Sequence, residues 1–155
     1  MGTHIQYVIL FLLLNFGALA IGSFLMNNGP QTDWYVSLNK APWTPPGWFF
    51  GVAWTTIMVC FSIYLAYLLP LKSSSSFWIV FSIQFVLNVA WNYIFFNQQE
   101  FGLGLIEIML LTGIVGYYLF FFGNNLGAKS WLIAPYFIWL LVATSLNCYI
   151  YLKNQ

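Results

Sequence analysis

Five long apolar stretches dominate the sequence, and short polar segments separate them. The stretches cover residues 5–26, 48–69, 77–96, 103–122 and 131–152. Each has about the 20 residues that an α-helix needs to cross a hydrocarbon layer about 30 Å thick. Backbone polar groups in lipid must be bonded within their own segment, so runs of this kind have to be helices. The pattern predicts an all-α integral membrane protein, a bundle of five transmembrane helices in a single domain over residues 1–155.

Composition supports this fold class and excludes several functions. The chain is 61% hydrophobic and only 5% charged, whereas a soluble domain carries about 25% charged residues. A net charge of +1 leaves no basic surface for nucleic acid. His4 is the single histidine, and Cys60 and Cys148 fall inside predicted spans. We therefore expect no metal site and no disulfide framework.

Lysine positions do not decide the orientation in the membrane. With five spans, Lys72 and Lys129 lie on the side of the N-terminus, and Lys40 and Lys153 lie on the opposite side. The positive-inside rule counts lysines and arginines, and the two sides carry equal numbers of them. Sidedness stays open.

The connection between the first two spans, residues 27–47, is the only long loop and is rich in proline and tryptophan. Prolines lower the entropy cost of an ordered loop, and rings such as Trp34 need a surface to bury them. Thr32 or Asp33 is placed to cap a short helix reaching Lys40. We interpret the loop as an ordered lid over the mouth of the bundle; the alternative is an aromatic anchor in the lipid headgroups.

Helical spacing groups polar and aromatic residues into stripes on three of the spans. The stripes contain Trp54 and Met58 on the second span, Gln84, Asn88 and Trp91 on the third, and Tyr136, Trp139, Ala143 and Asn147 on the fifth. Amide side chains in lipid point inward, either to bond across helices or to line a cavity, and both interpretations stay open. Glu107 lies inside the fourth span, where an acidic side chain indicates a functional site. The alternatives are that its side chain extends to the membrane interface or forms a hydrogen bond to a neighbouring helix.

Several motifs, in register along the chain, resemble one family. They are Trp34-Tyr35-x-x-Leu38-x-Lys40-x-x-Trp43-x-Pro45-Pro46 followed by Trp54, then Gln84-x-x-x-Asn88-x-x-Trp91-x-x-x-Phe95-Phe96, then Glu107, then Pro135-Tyr136-x-x-Trp139-x-x-x-Ala143-Thr144-x-Leu146-Asn147-x-Tyr149. Together they resemble the translocator protein family, which includes the tryptophan-rich sensory proteins of bacteria and the mitochondrial peripheral-type benzodiazepine receptor. The resemblance covers residues 33–154.

The resemblance implies a membrane receptor or transporter that forms a homodimer and binds hydrophobic ligands in a cavity closed by the 27–47 loop. The implied ligands are porphyrins, together with sterols and drugs of the benzodiazepine and isoquinoline classes. Taken together, the resemblance and the stripes give the candidate ligand-binding residues as Trp34, Tyr35, Trp43, Trp54, Met58, Asn88, Trp91, Trp139, Ala143 and Asn147.

A porphyrin is a flat aromatic plate with carboxylate edges, so stacking rings and one cation suit it. Lys40 is the candidate partner of a porphyrin carboxylate. No histidine lies in a span to ligate haem iron, so we expect porphyrin as a ligand and no required cofactor. No nucleophile–base pair is visible and no catalytic residue is predicted. The alternatives are light-dependent porphyrin breakdown by a photochemical route, and a membrane scaffold without a ligand.

One departure from the family pattern lies in the loop: the resemblance implies a proline directly after Lys40, whereas the order here is Lys40-Ala41-Pro42-Trp43. A second departure concerns the end of the chain. Leu146-x-x-Tyr149-x-x-x-Lys153 can be read as a sterol motif, but the resemblance places the basic residue one position earlier, at Leu152. Motifs of this kind are weak, so we do not carry sterol binding over from the family to this chain on this pattern. The chain ends at Gln155 without the basic tail of animal members, which favours a bacterial cell membrane over a mitochondrial outer membrane.

Overall fold

The computed structural model describes residues 2–155, which form one short and five long α-helices and no strand. The helices are α1 (Gly2–Met26), α2 (Asp33–Ser37), α3 (Gly47–Lys72), α4 (Ser75–Asn92), α5 (Phe101–Leu126) and α6 (Ala134–Lys153). A π-helical turn, Tyr93–Asn97, continues α4, and a 3₁₀ segment, Gly127–Ile133, joins α5 to α6. The predicted all-α membrane fold is confirmed.

The long helices have the length and composition of membrane spans. Four helical stretches qualify, and the last of them, Phe101–Lys153, has 53 residues. A straight helix of that length would measure about 80 Å at 1.5 Å per residue, far more than a bilayer. The stretch instead reverses near Gly127, which has a positive φ of 56°, and α5 and α6 pack side by side. The chain therefore contains five transmembrane helices.

Helix boundaries differ from the predicted spans mainly at polar breaks. α3 continues through Pro70 to Lys72, so this proline lies in the last turn of the helix and not in the connection. The serines that follow begin the next helix, because the Ser74 side chain accepts a hydrogen bond from the Phe77 amide at 3.4 Å. A serine cap satisfies one of the free amides at a helix N-terminus.

Aromatic packing fills the half of the bundle that holds the N-terminus. Phe61 is fully buried and meets the rings of Tyr118 and Tyr136 edge-on, at centroid distances of 5.8 and 5.3 Å. The Tyr64 hydroxyl donates to the Tyr118 carbonyl at 2.7 Å. These contacts join α3, α5 and α6 through closely packed rings.

In the same half, α1 is tied to α3 by a buried polar contact. The Asn15 amide donates to the Ser62 hydroxyl at 2.9 Å, and this hydroxyl donates to the Met58 carbonyl at 2.6 Å. A buried amide without a partner is costly in lipid, so Ser62 stabilises the position of α1 in the bundle.

Further along α1, a glycine allows close approach to α4. A Cβ atom on Gly22 would lie 2.7 Å from Nδ2 of Asn92, whereas a Cβ on Gly17 would meet nothing within 4 Å. Asn92 cannot move freely, because this same Nδ2 donates to the Asn88 carbonyl. Gly22 is therefore the position at which α1 can approach the wall that contains Asn88.

We predict that Gly22→Ala lowers the stability of the protein, whereas Gly17→Ala does not. Overpacking of this kind costs about 1–3 kcal/mol, and alanine in an open helix position is favoured over glycine by up to about 1 kcal/mol. Thermal unfolding of both variants in the same detergent, followed by circular dichroism, measures the difference. Equal melting temperatures would show that α1 and α4 are not held closely at Gly22.

Candidate ligand cavity

A cavity of about 660 Å³ lies in the other half of the bundle, beneath the loop that joins α1 to α3. All five long helices contribute to its walls. They include Ala18 and Leu19 of α1, Phe50, Gly51 and Trp54 of α3, Asn88 and Trp91 of α4, Ile108 and Leu111 of α5, and Trp139, Leu140, Ala143 and Asn147 of α6. Small residues on α1, α3 and α6 leave the space unfilled, and large rings bound it.

The aromatic walls are packed against one another and not free to collapse inward. Trp139 is held between Phe50 and Phe49, with ring centroids 5.3 and 5.7 Å away. Trp54 meets Tyr136 edge-on at 6.0 Å. Rings fixed by such contacts present ready faces for stacking on a flat ligand.

Amide groups of the cavity wall also bond across helices. Gln84 Nε2 donates to the Tyr136 hydroxyl at 2.9 Å, and this hydroxyl donates to Asn88 Oδ1 at 3.3 Å. Gln84 serves the interhelical contact alone, whereas Asn88 also lines the cavity. The sequence left two interpretations of this stripe open, bonding across helices and lining a cavity. Bonding across helices applies to Gln84, and both interpretations apply to Asn88.

After a 3₁₀ turn, Gly29–Gln31, the lid contains a short helix with the predicted cap. The Thr32 hydroxyl accepts a hydrogen bond from the Tyr35 amide at 3.3 Å, and α2 then ends at Ser37 and not at Lys40. The chain becomes extended at Leu38, whose ψ of 142° lies outside the helical region. This turn directs the following residues back across the mouth of the cavity.

Aromatic residues of the lid rest on the end of α4 and the start of α5. Trp34 stacks on Phe101 at 5.5 Å and meets Phe95 edge-on at 5.9 Å. Tyr35 packs on Phe96 at 5.3 Å and reaches the cavity wall. Burial raises the pKa of Tyr35 above its ordinary value, so its phenol stays neutral at physiological pH.

The π turn provides two of the three phenylalanines on which the lid rests, Phe95 and Phe96. Gln98 donates its amide to the Tyr93 carbonyl at 3.0 Å, a wider ring than that of an α-helix. Such turns occur as local bulges and are frequent at functional sites. Here the turn ends α4 with Phe95 and Phe96 next to each other beneath α2.

Two polar contacts hold the second half of the lid to α6. The Asn39 amide donates to Asn154 Oδ1 at 2.8 Å, and Asn154 Nδ2 donates back to the Asn39 carbonyl at 3.1 Å. Trp43 Nε1 donates to the Ser145 hydroxyl at 3.1 Å. The lid is thus fastened at both ends, by ring packing on one side and by hydrogen bonds on the other.

Most of the candidate ligand-binding residues meet at the cavity. Its lining contains Tyr35, Lys40, Trp54, Asn88, Trp91, Trp139, Ala143 and Asn147. The structure places the other three elsewhere. Trp34 stacks on Phe101 and is not part of the cavity lining, Trp43 is 54% exposed, and Met58 is 1% exposed in the packed half of the bundle. Helical spacing assigns Met58 to the face of Trp54 but does not show where along that face the cavity ends.

The three residues of the sterol pattern do not form one site. Leu146 lines the cavity, Tyr149 packs edge-on against Trp43 at 5.5 Å, and Lys153 is exposed at the end of α6. Sequence spacing places them on one helix, but they face different surroundings.

Several lining residues were not among the sequence candidates. Ala18 and Leu19 of α1, Phe50 of α3 and Phe96 of the π turn all line the cavity. The small residues of the first span indicate close approach, but nothing in their spacing distinguishes a cavity wall from a helix contact. Phe96 belongs to the third-span motif and could have been included.

Fold and cavity together define a class: a small multi-pass membrane protein whose five spans enclose an aromatic cavity under an ordered extramembrane lid. The TspO/MBR family model matches residues 8–152, and the chain belongs to this family.

Relatives from bacteria, archaea and animals align with most of the chain. A tryptophan-rich protein TspO of Bacillus cereus is 32% identical over 149 residues, covering 94% of this chain and 95% of the relative. The Archaeoglobus fulgidus protein of the same name is 35% identical over 135 residues, covering 86% and 87%. The translocator protein of Bos taurus is 29% identical over 145 residues, covering 88% and 85%.

We predict that Asn154→Leu accelerates tryptic cleavage after Lys40, because the variant loses both hydrogen bonds to Asn39. Gel analysis of timed digests measures the rate, and Asn125→Leu, at the opposite end of the bundle, serves as the matched control. Saturating protoporphyrin should slow the cut in the unmodified protein. A rate unchanged by Asn154→Leu would mean that this contact does not hold the lid.

Proposed function

We propose that this protein is a membrane receptor or carrier that binds a flat, hydrophobic ligand of the porphyrin type in the cavity beneath its lid. The supporting observation is the cavity itself, with Trp54, Trp91 and Trp139 around a volume of about 660 Å³. Sites for drug-sized ligands span about 300–1,000 Å³ and are lined mainly by apolar and aromatic residues. Its setting would be the cell membrane of a bacterium.

Lys40 supports the porphyrin class over a neutral sterol. This lysine belongs to the lid and lines the cavity. Its Nζ donates to the Val36 carbonyl at 3.2 Å and lies 4.7 Å from the centre of the Tyr35 ring. A cation at the mouth of an apolar cavity suits a ligand whose body is aromatic and whose edge carries carboxylates. The homologues named translocator and sensory protein agree with a ligand-binding role.

A second candidate function is light-dependent breakdown of the bound porphyrin. It is favoured by Trp54 and Trp139, because indole rings on the cavity wall would lie in contact with a photo-excited ring system. Illumination of the complex, with loss of porphyrin absorbance and appearance of a product, would support this route. A complex that is stable to light would leave binding as the function.

We expect Trp54→Ala to weaken protoporphyrin binding by about tenfold or more, which is about 1.4 kcal/mol. The variant loses stacking worth roughly 0.5–1.5 kcal/mol as well as buried area, and Trp54→Phe should have a smaller effect. Affinity is measured by the absorbance change of the porphyrin. Trp131→Ala is the control, because Trp131 is 73% exposed at the far end of the bundle.

Unchanged affinity in Trp54→Ala, with a lowered melting temperature, would make Trp54 a packing residue. No saturable binding by the unmodified protein would instead favour a scaffold without a ligand.

A charge-specific prediction concerns Lys40. Lys40→Met should weaken binding of protoporphyrin but not of its dimethyl ester, because only the free acid carries carboxylates. A partly exposed ion pair contributes about 1 kcal/mol or less, so the expected loss is up to about fivefold. Lys153→Met, at the exposed end of α6, should bind both ligands normally. Equal losses for acid and ester would mean that Lys40 acts by packing and not by charge.

A further inference from the structure

Part of the cavity wall also belongs to the outer surface of the bundle. Ser23 of α1 and Gly51 and Thr55 of α3 line the cavity, and all three are exposed. Trp139 and Ala143 of α6 line the same cavity and are only 7% and 9% exposed. The cavity is therefore closed where α6 borders it and open where α1 and α3 border it. We call this place the side opening.

The packing of α1 explains one edge of the side opening. α1 runs parallel to α4 and follows it from the packed half of the bundle to the lid. The rings of Phe11 and Phe81 are 5.5 Å apart, and Gly22 approaches Asn92 at the same offset of 70 residues. Because the offset is constant, the two helices stay together along this length. α1 therefore remains on the α4 side as it nears the lid.

The packing of α3 explains the other edge. In the packed half, α3 is joined to α1 by the hydrogen bond between Asn15 and Ser62. Toward the lid, α3 packs on α6 instead, with the ring centroids of Phe50 and Trp139 5.3 Å apart. Within residues 2–155, no hydrogen bond or ring pair joins α1 to α3 on the lid side of Asn15. The two helices therefore separate as they approach the lid.

The side opening lies at the depth of the hydrocarbon layer, below the lid. At 1.5 Å per residue, Gly51 and Thr55 are about 6 and 12 Å along α3 from its first residue, Gly47, and the membrane span begins at that residue. The Thr55 hydroxyl donates to the Gly51 carbonyl at 2.8 Å, a bond that threonine often forms in helices. This hydroxyl needs no partner from the lipid, so the edge of the opening is compatible with hydrocarbon.

We propose that the side opening connects the cavity to the bilayer. An acyl chain of a membrane lipid enters the cavity there in the ligand-free protein, and a hydrophobic ligand replaces the chain by the same route. The mainly apolar walls gain dispersion contacts from hydrocarbon that enters, and acyl chains are the hydrocarbon present at this depth. Gly51 leaves the way clear, because even a Cβ atom there would meet nothing within 4 Å.

For the ligand, this inference rests on the proposed function and extends it. An amphipathic molecule in a bilayer keeps its charged edge at the headgroups and its apolar body in the acyl region. Lys40 on the lid and the aromatic cavity below it have the same arrangement. A porphyrin can therefore move in sideways without carrying its carboxylates through hydrocarbon. The seam between the lid and α6 leads to water, so the two routes serve ligand from different sources.

Nuclear Overhauser effects between lipid and protein test the side opening without any ligand. The protein carries isotope-labelled alanine methyl groups, is otherwise deuterated, and is placed in nanodiscs of protonated lipid. Ala18 and Ala143, which line the cavity and are 2% and 9% exposed, should show transfer from acyl-chain methylenes. Ala20, exposed on α1, is the positive control, and Ala66, 0% exposed, is the negative control. Transfer to Ala20 but not to Ala18 and Ala143 would overturn the proposal.

A matched pair of variants tests the position of the opening. Gly51→Phe places a ring at the edge of the side opening and should reduce the transfer to Ala18 and Ala143. Val52→Phe adds the same ring at the next position, which is 54% exposed and outside the cavity lining, and should leave the transfer unchanged. Equal transfer in the two variants would mean that acyl chains do not enter between α1 and α3.

The route of the ligand is tested with protoporphyrin dimethyl ester dissolved in the bilayer of vesicles that contain the protein. The rate of binding should rise with the ratio of ester to lipid. It should fall by about tenfold or more in Gly51→Phe and stay unchanged in Val52→Phe. A rate that Gly51→Phe leaves unchanged would overturn the side opening as the route of the ligand.

Locking the lid separates this route from the seam. In a background without the native cysteines, Asn39→Cys with Asn154→Cys forms a disulfide that holds the lid against α6. Loading of the ester from the bilayer should proceed at the unmodified rate, and loss of loading in the locked protein would overturn the proposed route. If the ester does not bind to the unmodified protein at all, the proposed function fails, while transfer from lipid to Ala18 and Ala143 still decides the side opening.

Discussion

The absence of water from the bilayer interior is the constraint on which the rest of this structure depends. Every polar group carried into the spans has to find a partner inside the bundle. Asn15 with Ser62, and Gln84 with Tyr136 and Asn88, satisfy this demand through bonds between helices. These bonds fix which faces of the helices turn inward. The aromatic side chains on the same faces therefore also point into the bundle.

The distribution of volume along those faces then separates the molecule into two halves. Where Phe61, Tyr64 and Tyr118 meet, rings fill the interior. Toward the lid, the small residues Ala18, Gly51 and Ala143 line the interior in place of rings, so the interior stays open there. A filled half holds the helices together, which allows the other half to enclose a cavity without loss of the bundle.

The lid extends this arrangement beyond the membrane. Its prolines and the Thr32 cap stiffen a connection that would otherwise be flexible, and Trp34 buries its ring on Phe101. Because the contacts on the α6 side are hydrogen bonds at the protein surface, where Asn39 and Asn154 are accessible to water, that side can separate at lower cost than the packed aromatic side. A ligand could enter there while the rest of the lid stays in place.

The sequence by itself determined the helices, their number, the ordered loop and the inward-facing stripes, because hydrophobic length and helical spacing are local properties. The family motifs added part of the cavity lining, including Trp54, Trp139 and Asn147. Only the tertiary structure decided how far along each face the cavity extends. It assigned Met58 to the core, Trp43 to the outer surface and Leu19 to the cavity wall. It also brought Asn88 of α4 to the hydroxyl of Tyr136 of α6, since that relation depends on how two helices are shifted along each other. No residue spacing within a single helix contains that shift; it arises from side-chain packing between helices.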